Sequence, residues 1–421
     1  MTEPHTDADG PRRSQARTAV VIGGGIGGTA AALLLARAGL GVTLFERVAE
    51  PAAVGGGLLL QPNGLAVLYA LGLRDRLAAR GSTVTEATIR DVSDRALLSA
   101  PIVDFGEGLD HALVVRRGDL FTALLDAARA EPAIDLHLGC EVVEVAPDDG
   151  AVLAVRADGR TARVEGDLVV AADGVHSAAR AAVDPAARVE KSPHLYVRGV
   201  VPAPTSRSVE VGEWWTPLGL FGAAPLSSGA RPEVYFFASA EPGPVADAVA
   251  RRDLSMFAAV WRATLPAAAP VIGELRSFDT LLVTEVRRVD CTTFVSGRAA
   301  LLGDAAHAMA PNAGQGANSA LVDAAVLRLA LNEHADVSAA LAWYDARRRP
   351  AVQRVQRTSD ALARFAHARG LRQRALRVAF LAIVRKLSGN RQALLAAMQE
   401  DPAWLYRALR DLGADRPAPR G

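Results

Sequence analysis

Residues 18–39, TAVVIGGGIGGTAAALLLARAG, decide the fold. TAVVI has the length and apolar character of a buried parallel strand. GGGIGG supplies a tight glycine turn, and the Ala/Leu run after it reads as a helix closed by Gly39 as a C-cap. GVTLFE then reads as a second strand ending in Glu46. Gly23, Gly25 and Gly28 match G-x-G-x-x-G, a weak signal alone, but here they lie inside the strand–helix–strand unit that the motif requires. The glycines let main chain approach a pyrophosphate, and the helix N-terminus offers unpaired N–H groups and the positive end of a dipole. Glu46 follows at about 20 residues, where an acid meets a ribose hydroxyl. Ile26 and Arg47 flank these positions, and the set reads as a dinucleotide site.

Outward from this unit the pattern changes twice. ALVVRRGDLFTALLDAARA predicts a strand and a helix, with Arg117 before the helix. Strands with DDG and ADG turns follow and contain Val142, and DLVVAADG returns to the first sheet. Residues from about 186 to 285 hold short aromatic strands, HLYVRGVVP, SVEVGEWW, GLFGAAPL and EVYFFAS, with antiparallel character. FVSGRAALLGDAAHAMAPNAGQGANSAL gives strand, loop and helix, and the chain after RRRP reads as helical. The expected fold class is α/β: a Rossmann-like domain on a mixed, mainly parallel sheet, an inserted antiparallel-sheet substrate domain and a helical C-terminus. The expected divisions are a disordered tail at 1–17, a cofactor domain at 18–85, 110–185 and 286–350, a substrate domain at 86–109 and 186–285, and C-terminal helices at 351–421.

The composition narrows the functional classes. A chain of 421 residues with net charge +1 has room for two or three domains and no polyanion-binding character, which argues against a nucleic-acid partner. Cys140 and Cys291 are far apart and form neither a disulfide framework nor a zinc motif. A reducing, cytoplasmic setting is expected. RRS precedes the first strand, and removing it as an export signal would destroy the glycine site. No run is long enough to span a membrane. LRVAFLAIVRKL, residues 376–387, reads as an amphipathic helix packed on the body.

Two further motifs bear on the cofactor. The first is DGVHSAAR, with Asp173, Gly174, Ser177 and Arg180. The second is GDAAHAMAPNAGQGANSAL, with Gly303, Asp304, His307, Pro311, Gly314, Gln315, Gly316, Ala317 and Asn318. Together with GGGIGG, and in this order and spacing, they resemble the single-component flavoprotein aromatic hydroxylases, the para-hydroxybenzoate hydroxylase family. The likeness covers roughly residues 18 to 360.

The resemblance implies FAD, with Gly23, Gly25 and Gly28 at its pyrophosphate and Glu46 at the adenosine ribose. It implies Arg117 near the phosphate or ribityl region, Asp304 on the ribityl hydroxyls, residues 311–318 along the flavin ring, and Asp173, Gly174 and Arg180 in a motif for FAD and nicotinamide. His307 is read as holding its loop. It also implies NADH or NADPH and O2 as co-substrates, and hydroxylation through a C4a-hydroperoxyflavin. Epoxidation, Baeyer–Villiger insertion and a dehydrogenase or reductase of the same fold stay open. A halogenase does not fit, since no lysine precedes Lys191. The expected partner is a small aromatic molecule, with a polyketide-like skeleton among the options, bound by a monomer or homodimer. Tyr196, Arg198, Trp214, Phe221 and Tyr235 are candidates to line its site, about half of them pointing elsewhere because strand side chains alternate.

Overall fold

A computed structural model describes residues 14–50, 56–205, 211–226, 232–368, 370–387 and 391–414. The first strand, Thr18–Ile22, lies inside a six-stranded sheet ordered Val295–Ser296, Ala299–Leu301, Leu168–Ala171, Thr18–Ile22, Gly41–Glu46, Ile134–Leu138. All its pairings are parallel except the edge pair of Val295–Ser296 with Ala299–Leu301. These strands read as unbroken apolar runs because helices cover the sheet. The helix Ile26–Arg37 buries almost every residue, as its all-round Ala/Leu composition demands. Gly39, at φ +93°, follows the C-cap Ala38, so the helix stops where its glycine allows a left-handed turn.

An antiparallel meander, Cys140–Ala146, Ala151–Arg156 and Thr161–Glu165, turns at Gly150 and Gly159, the glycines of the DDG and ADG signals. A small sheet pairs Gly57–Leu60 and Ser82–Val84 with Ala112–Arg116.

The seven-stranded sheet is ordered Leu282–Asp290, Arg188–Pro202, Glu233–Ala240, Gly219–Leu226, Gly212–Thr216, Glu86–Arg90, Ala96–Pro101. One joint, Gly212–Thr216 with Glu86–Arg90, is parallel. This sheet roofs the first domain, and its two faces differ. The back face buries Val197, Trp214, Phe221, Phe236 and Ala238 against Phe257, Trp261 and Val271 of the helices behind it. The front face packs at one end on the small sheet, through Val200, Ala224 and Tyr235. At its other end Trp215 and Leu220 meet Ala366 and Leu381 of the C-terminal helices.

Three expectations change. Residues 14–17 do not belong to a tail: Ser14 N–H bonds Leu331 O at 2.8 Å, Gln15 N–H bonds Ala335 O at 3.0 Å, and Ala16 is buried. The rest of that segment, 1–13, lies outside the described residues. The expected division at 350/351 falls inside a helix, because Val337–Ala366 runs unbroken through Pro350. An interior proline removes a donor and crowds the preceding turn, but Tyr344, Arg348, Ala351, Val352 and Val355 bury one face on both sides of it and hold the helix together. Finally, the helix Gly370–Leu387 packs by a narrow stripe. Phe380 stacks on Phe365 at 4.3 Å and Leu381 is buried, whereas Leu376, Val378 and Ile383 are exposed. No helix among the described residues is long and apolar enough to cross a membrane.

Candidate functional site

The glycine loop is fixed by close main-chain approach. Gly23 has φ +97° and donates its N–H to Phe45 O at 2.8 Å. A Cβ on Gly28 would stand 1.9 Å from Gly23 O, and one on Gly27 would meet Leu302 and Ala320. Gly25, the N-cap of Ile26–Arg37, is different: its side faces open space, and no side chain caps the helix. With no acid in the first turn either, the helix N-terminus is left for an external anion. Glu46 accepts from Gly24 N–H at 2.7 Å and from Val48 N–H at 2.9 Å, so its carboxylate stands beside the loop with acceptor capacity remaining. Arg47 is exposed next to it, and Ile26 is buried beneath.

At the end of Leu168–Ala171, Asp173 Oδ2 accepts from Ala178 N–H and Ala179 N–H, at 2.8 and 3.2 Å. Its Oδ1 is buried without a hydrogen bond. Arg180 clamps two carbonyls, Val175 O at 2.9 Å and Ala305 O at 3.0 Å, which ties the DG motif to the GD loop. In that loop Gly303 takes φ +62°, and Asp304 opens the short helix Asp304–His307 with its side chain exposed. No hydrogen bond occupies the Asp304 carboxylate among the described residues, so it is available to a polyol. Arg117 is likewise exposed at the start of Arg117–Ala130, with no side-chain partner among the described residues. These features, an open capless helix end, an orphaned Asp173 oxygen and an uncommitted Asp304, fit an elongated dinucleotide.

Residues 311–318 form a braced turn. Pro311–Ala313 is a single 3-10 turn, Gly314 has φ +63°, and Gly316 starts the helix Gly316–Glu333 facing open space. Ala317 is partly buried. The Asn318 side chain is committed to the protein: it donates to Leu59 O and Gly314 O at 3.0 and 2.8 Å and accepts from Gln61 N–H at 3.0 Å. The Val142 side chain is buried in its strand. Both side chains are thus taken up within the protein.

Behind the GD loop is a buried ionic network that the sequence reading did not find. Asp323 accepts from Gly303 N–H at 2.9 Å, His307 Nε2 at 2.5 Å and Arg348 Nε at 2.7 Å. Arg348 also donates to Gln399 Oε1 at 2.6 Å. His307 therefore holds its loop, as read. Burial pushes the Asp323 carboxyl up, but the charges of His307 and Arg348 and their hydrogen bonds outweigh it and hold it at about 2.

Over the turn, Tyr196 Oη donates to Asn312 Oδ1 at 2.8 Å, and the Tyr235 ring lies on Gly56 and Gly57, where a Cβ would come within 2.5–2.6 Å of it. The roof's front face is therefore turned towards the cofactor domain. The registers Glu213↔Gly222, Gly222↔Phe237 and Phe237↔Arg198 set these four residues in one row on that face. Phe237 lies across Gly222, between an acid and a base. Burial lifts the Glu213 carboxyl to about 7, against a hydrogen bond from Trp215 Nε1. Arg198 and Tyr235 lie on the front face. Trp214 and Phe221 do not: they are one step out of phase and fill the back core, 6.4 Å apart with Phe221 5.3 Å from Trp261. Their place on the front face is taken by Glu213 and Phe237. The clue was a charged residue within the aromatic strand EWW.

With this geometry in hand, similarity to known proteins can be stated. Residues 16–359 match a family model described as an FAD binding domain. The chain is 32% identical to aurachin C monooxygenase/isomerase of Stigmatella aurantiaca over 82% of its length and 87% of the relative's. It is 32% identical to 6-hydroxynicotinate 3-monooxygenase of Bordetella bronchiseptica over 80% of its length and 89% of the relative's. The solved tetrameric form of 2-methyl-3-hydroxypyridine-5-carboxylic acid oxygenase superposes with a TM-score of 0.72 at 27% identity, covering 93% of this chain and 98% of that one.

Proposed function

The chain belongs to the FAD binding domain family and is an FAD-dependent monooxygenase of the aromatic-hydroxylase kind; from that premise we propose that it hydroxylates an aromatic molecule carrying an acidic ring N–H or O–H, held beneath the roof sheet between Glu213 and Arg198. The observation that carries this reading is the row Glu213–Gly222–Phe237–Arg198 on the face turned to the residue 311–318 loop. Phe237 offers a stacking surface, Arg198 binds an oxyanion or carboxylate, and Glu213 takes the ring proton, which makes the substrate more electron-rich. A carboxyl at about 7 is matched to that proton transfer at neutral pH. Two of the relatives carry hydroxypyridine-type names, in keeping with a substrate of this chemistry.

Gly23, Gly25 and Gly28, with the N-terminus of Ile26–Arg37, hold the pyrophosphate, and Glu46 the adenosine ribose. Asp304 would accept from the ribityl hydroxyls, Arg117 would pair with phosphate, and Pro311, Gly314 and Gly316 would present main chain to the flavin ring. FAD held there would supply the redox chemistry that couples NADH or NADPH and O2 to the substrate. The chain has a single glycine fingerprint, so the nicotinamide nucleotide binds transiently over the flavin. Tyr196, tied to Asn312, and Tyr235, seated on Gly56 and Gly57, close the roof and exclude water.

Glu213→Gln tests the assignment. The base acts deprotonated, so wild-type kcat/KM rises with pH and levels off above about 7. The variant is expected to lose roughly 100-fold in kcat/KM and to flatten that limb, with FAD content unchanged. Wild-type activity and an unaltered pH profile in Glu213→Gln would remove Glu213 from the reaction.

A further inference from the structure

Three titratable side chains converge where the roof sheet meets the C-terminal end of the helix Val337–Ala366. His194 lies in the bulge of Arg188–Pro202, where the register with Leu282–Asp290 shifts between Lys191 and Leu195. Bulges re-aim side chains at functional positions. The pair Leu195↔Ala240 sets His194 opposite Glu241, one residue beyond Glu233–Ala240. His367 is the C-cap residue of the long helix. One ligating atom from each lies within 4.8 Å of the others. His367 Nε2 is 3.2 Å from Glu241 Oε1, His194 Nδ1 stands against the same oxygen, and the two rings stack at 4.3 Å and 12°.

The arrangement presents one ligand atom from each of the three side chains to a single point. His367 Nδ1 is 2.6 Å from Ala363 O, a carbonyl that can only accept, so Nδ1 carries a proton and Nε2 is the ring atom turned to Glu241. His194 Nδ1 is buried there without hydrogen-bond geometry. The stacked rings, 4.3 Å apart, set their nitrogens on one side, so a single divalent ion at that point would take both nitrogens and the carboxylate as ligands. The Ala363 bond is also the outer-shell contact that fixes the tautomer of a ligating histidine.

We propose that His194, Glu241 and His367 form a binding site for a divalent transition-metal ion of the zinc type, with the fourth position left to water. The site is a clamp. It joins two strands of the roof to the helix Val337–Ala366. It also backs onto Gly219, where a Cβ would come 3.1 Å from His367 and 3.3 Å from Glu241.

The test uses the untagged full-length flavoenzyme, stripped with a chelator, given one equivalent of ZnCl2 and desalted. Metal analysis is expected to find one zinc per chain, and excess ZnCl2 to raise the melting temperature by about 3 °C or more. The His194→Gln/His367→Gln double variant is expected to lose both effects while keeping its FAD. Failure of the wild type to retain zinc, an unchanged melting temperature, or equal retention by the double variant would overturn the site. Should the double variant not fold, the wild-type zinc content and melting shift decide alone.

Discussion

Gly28→Ala is expected to purify almost free of FAD. The new Cβ would stand 1.9 Å from Gly23 O, an overlap that the loop cannot relieve by moving. Gly23 is itself held, by its N–H bond to Phe45 O and by the main chain at Ala172, whose oxygen would lie 2.4 Å from any Cβ there. Overpacking of this kind costs about 1–3 kcal/mol, and it falls on the main chain that must meet the pyrophosphate. Flavin content after desalting should drop below roughly a tenth of wild type, with a lower melting temperature. Gly25→Ala separates the two effects. Nothing in the protein lies within 4 Å of its Cβ, so its apo-protein should melt like wild type while its FAD affinity falls. Wild-type flavin content in both variants would show that the loop does not hold the cofactor.

Asp323→Ala is expected to cost the most stability. Asp323 and Arg348 are both fully buried, and removing the carboxylate strands a guanidinium in the core. Breaking a buried pair in this way costs about 3–5 kcal/mol. It also releases Gly303 N–H and His307, so the GD loop should loosen and FAD affinity fall along with the denaturation midpoint. The pH dependence has a definite sign. The folded carboxyl is held at about 2 against an ordinary value of 3.8, so its contribution is complete above about 4 and fades as pH falls from there towards 2. Urea midpoints recorded between pH 5 and 2 should fall less steeply in Asp323→Ala than in wild type. Equal slopes, or a loss under 1 kcal/mol, would mean that the network does not support the loop.

What the sequence disclosed follows from how local each determinant is. The strand–glycine–helix unit could be read because its chemistry lies within one short segment: Gly23, Gly28 and Glu46 do their work through neighbouring main chain. The GD loop could be read as a motif, but its support could not, because Asp323 and Arg348 come from two separate helices and Gln399 from the bend after a third. The roof was legible as antiparallel sheet and not as a surface. Alternation says that Trp214 and Glu213 point opposite ways, yet which way is inward depends on the helices behind the sheet. The aromatic residues drew attention for their size, and size is what fills a core. The acid beside them, at odds with its apolar setting, was the better sign of a site. The cluster of His194, Glu241 and His367 was beyond reading, since its members lie far apart in the chain and meet only through sheet register and the end of a long helix.

The central claim is that this chain places one oxygen atom from O2 on an aromatic ring. The most direct test supplies the FAD-loaded enzyme with NADH or NADPH under 18O2 and a panel of hydroxypyridines, hydroxybenzoates and larger phenols, and weighs the products. Substrate-dependent oxygen uptake with one 18O atom per product molecule is the predicted result. Reduction of the flavin with no label in any product, or a product that has lost hydrogen and gained no oxygen, would contradict it.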